Sequence, residues 1–104
     1  MSTEEFLTDL ELGKVRAAYQ ENNQWLVNAE VKTNILKAFK EGIIVQMDSF
    51  VDKNTLPAQR FTPERGIRIV PGGSSVRRGA YVASGVIIMP PSYINIGAFV
   101  DEGT

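Results

Sequence analysis

From Val70 onward the chain repeats every six residues. The hexads are Val70-Pro-Gly-Gly-Ser74-Ser, Val76-Arg-Arg-Gly-Ala80-Tyr, Val82-Ala-Ser-Gly-Val86-Ile, Ile88-Met-Pro-Pro-Ser92-Tyr, Ile94-Asn-Ile-Gly-Ala98-Phe and Val100-Asp-Glu-Gly-Thr104. The first position is always Val or Ile, and the fifth is a short side chain. The fourth is Gly except at Pro91. Self-similarity at a fixed short period marks a solenoid, and a period of six points to a parallel β-helix.

Each position has a physical task. A β-branched aliphatic at the first position suits the inner face of a short strand. The fifth position also faces the axis, where three facets converge and leave room only for a short side chain. Glycine at the fourth position adopts the positive φ that a tight corner requires. An antiparallel sheet would also bury alternate aliphatics, but its period of two does not explain glycine returning in one phase. The period is silent on handedness, and parallel crossovers are normally right-handed.

The first two-thirds of the chain follow other rules. Ser2 and Glu5 have capping-box spacing ahead of Phe6, Leu7 and Leu10, and Gly13 is placed to end a short helix. Lys14 to Tyr19 reads as a strand, Glu21-Asn22-Asn23 as a turn, and Gln24 to Val27 as the returning strand. Asn28 is a plausible N-cap for a second helix, with Val31, Ile35, Leu36 and Phe39 on one stripe and Gly42 as its stop. Lys32, Lys37 and Lys40 lie off that stripe and read as a solvated face. Ile43 to Met47 reads as a strand. A polar connection from Asp48 to Gly66 follows, and Phe50, Leu56 and Phe61 would lay it against the helices. The expected architecture is therefore an α+β cap, residues 1–66, followed by the start of a parallel β-helix, residues 67–104, with about two coils in its six hexads.

Composition narrows the chemistry. A formal net charge of -1 offers no electrostatic case for nucleic acid or an anionic membrane surface. With no Cys, disulfides, thiolate metal sites and a cysteine nucleophile are excluded. With no His, the commonest general base is missing. No apolar run has the length of a signal-peptide core or a membrane span, which makes the cytoplasm the default location.

Three strings carry a family resemblance: Arg68-Ile-Val-Pro71, Val76-Arg-Arg-Gly-Ala-Tyr81, and Tyr93-Ile-Asn-Ile-Gly-Ala-Phe-Val-Asp-Glu-Gly-Thr104. Together they resemble tetrahydrodipicolinate N-succinyltransferase, an acyl-CoA-dependent enzyme of bacterial diaminopimelate and lysine synthesis. The resemblance implies a left-handed coil, a homotrimer, succinyl-CoA as cosubstrate and no bound cofactor or metal. It also implies that this chain is the N-terminal portion of such an enzyme. Two local differences are visible. Relatives commonly read Met-Pro-Ser-Tyr where this chain has Met89-Pro-Pro-Ser-Tyr93, and they are one residue shorter near Gly72-Gly73-Ser74. The added residues would make the period strictly six.

The implied reaction is attack by an amine of a ring-opened dicarboxylate on the succinyl thioester. Arg68 falls on the family's substrate-binding arginine, and a guanidinium suits a carboxylate because it donates two parallel hydrogen bonds. Read without the resemblance, Arg68 is a solvated arginine or the partner of a loop carboxylate. In the family this chain resembles, the aspartate implicated in substrate binding and acid-base chemistry follows the Asp-Glu-Gly-Thr string by three residues, and the coils that hold coenzyme A come later still. No catalytic or acyl-CoA-binding residue is therefore expected within the chain. Asp101 and Glu102 read as surface carboxylates, and Arg77 and Arg78 as a solvated corner.

Two other functions fit the same residues. One is a non-catalytic β-helical module that trimerises. The other is an N-acetyltransferase acting on the same substrate. Two coils are also few for a solenoid core, so the polypeptide by itself is expected to aggregate or to need a cap.

Overall fold

A computed structural model describes residues 1–104. Its first helix, α1, spans Thr3–Glu11. The Ser2 hydroxyl oxygen accepts from the Glu5 backbone N–H at 3.1 Å, as the capping spacing predicts. At the other end, the N–H of Lys14 reaches the Asp9 carbonyl and that of Gly13 reaches the Leu10 carbonyl. This is the hydrogen-bond pattern of a Schellman stop, with Gly13 at φ 74°. Phe6, Leu7 and Leu10 are the buried face.

The chain then crosses to a hairpin, β1 (Ala18–Glu21) with β2 (Gln24–Val27). Glu21 pairs with Gln24, so the turn is the two residues Asn22 and Asn23, both at positive φ. The strand begins four residues later than the sequence reading places it. Val15 and Ala17 are spent instead on packing against the helical core. Helix α2 spans Ala29–Glu41, with Asn28 as N-cap and Gly42 as C-cap, as predicted. Its buried residues are Val31 and Ala38, whereas Leu36 is exposed.

A second hairpin follows where a long connection was expected. Strands β3 (Ile44–Met47) and β4 (Phe50–Lys53) pair antiparallel, and Asp48 supplies a positive φ in the turn. Met47-Asp-Ser-Phe50 lacks the Asn-Gly or Asp-Gly signature, which is why the hairpin is hard to read from the sequence. Of the three apolar residues expected to hold this region on the helices, only Leu56 does so. Phe50 is exposed, and Phe61 packs on the other core.

Beyond a single 3-10 turn at Pro63–Arg65 come six two-residue strands. They are β5 (Arg68–Ile69), β6 (Ser75–Val76), β7 (Tyr81–Val82), β8 (Ile87–Ile88), β9 (Tyr93–Ile94) and β10 (Phe99–Val100). Each pairs in parallel with the strand three places away: β5 with β8, β6 with β9 and β7 with β10. Ser75 meets Tyr93 and Tyr81 meets Phe99, so the chain returns after eighteen residues. Val76, Val82 and Ile88 of the first position are buried, as are Ala80 and Val86 of the fifth. All five fourth-position glycines have positive φ.

One step departs from strict sixfold spacing. Ile69, not Val70, lies opposite Ile88, so seven residues separate it from Val76. The extra residue is absorbed at Pro71-Gly72-Gly73, where the backbone of Gly72 passes over Pro90. A Cβ at Gly72 would lie 2.6 Å from that ring. The doubled glycine therefore accommodates an insertion on the first turn instead of regularising the period.

Two apolar clusters result. One joins α1, α2 and Leu56 with Ile96; the other lies among the short strands, around Val76, Val82, Val86 and Ile88. The molecule is thus a small mixed α/β structure whose sheets are all two-stranded. No helix is long and apolar enough to cross a membrane.

Candidate substrate-binding face

Arg68 sits on β5, the first of the short strands. Its backbone N–H donates to the Val86 carbonyl at 3.0 Å, and Gly66, two residues earlier, accepts from the Gly85 N–H at 2.7 Å. Gly66 itself is left-handed at φ 70° and closes the 3-10 turn. With the Val70 N–H donating to the Ile88 carbonyl at 3.0 Å, the backbone on either side of Arg68 is tied to the segment that carries β8. Its side chain is exposed and takes part in none of the four salt bridges. Of the two structural readings of Arg68, the ion pair with a loop carboxylate is therefore excluded. An exposed guanidinium on an anchored strand retains its full set of donors for an acceptor from outside the chain.

Arg77 and Arg78 are not a solvated corner. Arg77 forms an ion pair with Asp52, donates to Asn95 Oδ1 at 3.2 Å, and lies 4.8 Å from the centre of the Phe39 ring. Arg78 forms an ion pair with Glu4 and donates to Glu11 Oε2 at 3.1 Å and to Thr8 Oγ1 at 3.0 Å. Burial by itself would lower the pKa of Arg78, but the hydrogen bond to Glu4 and the charges of Glu11 and Glu4 raise it above the ordinary value. The two arginines rivet opposite sides of the first corner to the helices and to the second hairpin. The spacing Arg-Arg-Gly carries no signal of this, because these hydrogen-bond partners lie 18 to 74 residues away.

The second hairpin also creates a cleft of ≈ 230 Å³ against the facet of β6 and β9. Met47, Phe50, Val51 and Tyr93 line it together with the Arg77–Asp52 pair. Asp101 and Glu102 are exposed, and Asp101 Oδ1 accepts from the backbone of Glu102 at 2.8 Å, so they face water as expected. Arg68 is not among the residues that line the cleft. No three acidic side chains converge in a geometry that would hold a metal ion.

No protein-family model matches the chain. Individual proteins do, and the similarity lies with enzymes that transfer an acyl group to nitrogen. The chain is 37% identical over 111 aligned positions to the 2,3,4,5-tetrahydropyridine-2,6-dicarboxylate N-succinyltransferase of Acinetobacter baylyi, an alignment that covers 99% of the chain and 40% of the relative. The enzymes of the same name from Dechloromonas aromatica and Pasteurella multocida are 36% and 37% identical, over 92% and 95% of the chain and 38% of each relative. The resemblance to tetrahydrodipicolinate N-succinyltransferases thus runs through nearly the entire chain, which spans about two-fifths of the length of the relatives it matches.

Proposed function

We propose that this chain is the N-terminal portion of a tetrahydrodipicolinate N-succinyltransferase working in diaminopimelate and lysine biosynthesis. In this reading residues 1–66 are a cap and residues 67–104 are the first two coils of a left-handed parallel β-helix. The observation that carries it is the parallel register of eighteen residues, which repeats over two facets and continues as nineteen on the third. Handedness rests on the family resemblance alone. The assembly proposed is a cytoplasmic homotrimer.

In the reaction, the substrate amine forms a bond to the succinyl carbonyl carbon of succinyl-CoA. The C–S bond breaks, and the proton lost by the amine passes through a base to the departing sulfur, leaving coenzyme A as the thiol. Positioning is the contribution of this chain. Arg68 holds one substrate carboxylate through paired charge-assisted hydrogen bonds, and the rung hydrogen bonds at Val86 and Gly66 fix the strand that carries it. Neither a base nor a thioester site is assigned here.

A kinetic split tests the role of Arg68. In the polypeptide that carries the whole enzyme, Arg68→Ala should raise KM for the dicarboxylate by about ten- to a hundredfold, the worth of a charged hydrogen bond. KM for succinyl-CoA should stay unchanged. Arg68→Lys should recover only part of the loss, because an ammonium does not present two parallel donors. Unchanged KM for the dicarboxylate in Arg68→Ala would refute this role.

A further inference from the structure

A fourth arginine behaves unlike these three. Arg16 lies in the crossing between α1 and β1, held over a pair of aromatic rings. Tyr81 and Phe99, opposite each other on β7 and β10, stack with centroids 4.2 Å apart. The guanidinium carbon of Arg16 sits 3.6 Å from the centroid of Phe99 and 5.6 Å from that of Trp25. Gly13 is what lets the chain come this close, since a Cβ there would lie 3.2 Å from the Tyr81 ring.

The rings satisfy the cation but not its donors. A guanidinium has five N–H groups, all in its own plane, and a ring face offers them no lone pair. Arg65, Arg77 and Arg78 each donate to oxygens of the protein. Arg16 takes part in no salt bridge, and its Nε is the one buried side-chain polar atom without a partner. None of the chain's twelve carboxylates forms an ion pair with it. Glu4 and Glu11 are engaged by Arg78, Asp52 by Arg77 and Glu41 by Lys37. Nε is closed off beneath the rings, so an acceptor from outside meets the two Nη groups, which are not buried and have no protein partner. The acceptor that fits the open end of a planar fork is coplanar and carries two oxygens, which describes a carboxylate.

We propose that Arg16, framed by Phe99 and Trp25, is the anchor of a carboxylate-binding site separate from Arg68. The carboxylate comes from a small free acid or from an acidic side chain of a second copy. Such a site is independent of acyl transfer.

Trp25 is the only tryptophan, so its fluorescence reports directly on this site. The full chain is titrated with acetate and with succinate at constant ionic strength, using chloride as the control anion. Saturable change in emission with the carboxylates and none with chloride is the expected result. Arg16→Gln should abolish the response. Arg16→Lys, which keeps the charge and loses the fork, should weaken it at least tenfold. Circular dichroism identical to the unmodified chain qualifies each variant. A dilution series without added acid separates the sources: emission that depends on protein concentration, and loses that dependence in acetate, assigns the carboxylate to another copy. An equal response to chloride, a saturable response retained in Arg16→Gln, or no response to acid and to dilution alike would overturn the proposal.

Discussion

Glu11 Oε2 accepts two hydrogen bonds at the first corner of the repeat, from Arg78 Nε at 3.1 Å and from the backbone N–H of Gly79 at 2.8 Å. One carboxylate at the end of α1 thus holds both the side chain and the main chain of a corner 67 residues away. Both partners are largely shielded, with about a quarter or less of each side chain exposed.

Removing that carboxylate should be costly. Glu11→Ala leaves a half-buried guanidinium with one anionic partner fewer and the Gly79 N–H without an acceptor. The expected loss is about 1–3 kcal/mol in chemical denaturation. Glu11→Gln keeps a neutral acceptor and should lose roughly half as much, since charge-assisted bonds are about twice as strong as neutral ones. Salt should change the difference little, because shielded pairs are weakly screened.

Gly79 and Gly85 offer a matched comparison. Both have φ 89°, but a Cβ at Gly79 would lie 2.7 Å from Ile96 and 3.0 Å from Leu7, whereas one at Gly85 would meet nothing within 4 Å. Gly85→Ala should therefore report backbone strain alone, about 1–2 kcal/mol. Gly79→Ala should add an overpacking cost of about 1–3 kcal/mol, because the neighbouring atoms belong to the core under α1. Equal melting temperatures for the two variants would contradict the close packing of α1 on this corner.

The connection after β4 makes a third test. Leu56 is fully buried among α1 and α2, and Leu56→Ala should cost about 2–5 kcal/mol. Phe50, more than half exposed at the cleft, should tolerate Phe50→Ala within about 0.5 kcal/mol. Thermal denaturation of both variants separates the residue that pins the connection from the one that only lines a surface.

Some of this architecture is readable along the chain because its causes are local. Capping at Ser2 and Asn28, the stop at Gly13 and the turn at Asn22-Asn23 follow from side chains that meet backbone groups a few residues away. The hexad phase is also local in this sense. Val76, Val82 and Ile88 face inward because every corner between them is a glycine with six-residue spacing. Arg68 was legible as a candidate only through the motif around it, since nothing in residue type separates a free arginine from a paired one.

Residue preferences along the chain set the inward and corner positions from Val76 onward and the order of the elements up to β3, because those depend on φ preferences and on apolar period. Tertiary structure alone decided the phase of the first turn, where Ile69 displaces Val70 because the loop at Pro71-Gly72-Gly73 must pass over Pro90. It also decided which arginines are engaged. Arg77 and Arg78 find carboxylates on distant elements, while Arg16 finds rings and Arg68 finds solvent. The physical reason is the same in each case: an ion pair or a close approach is a relation between segments that only folding brings within a few ångströms.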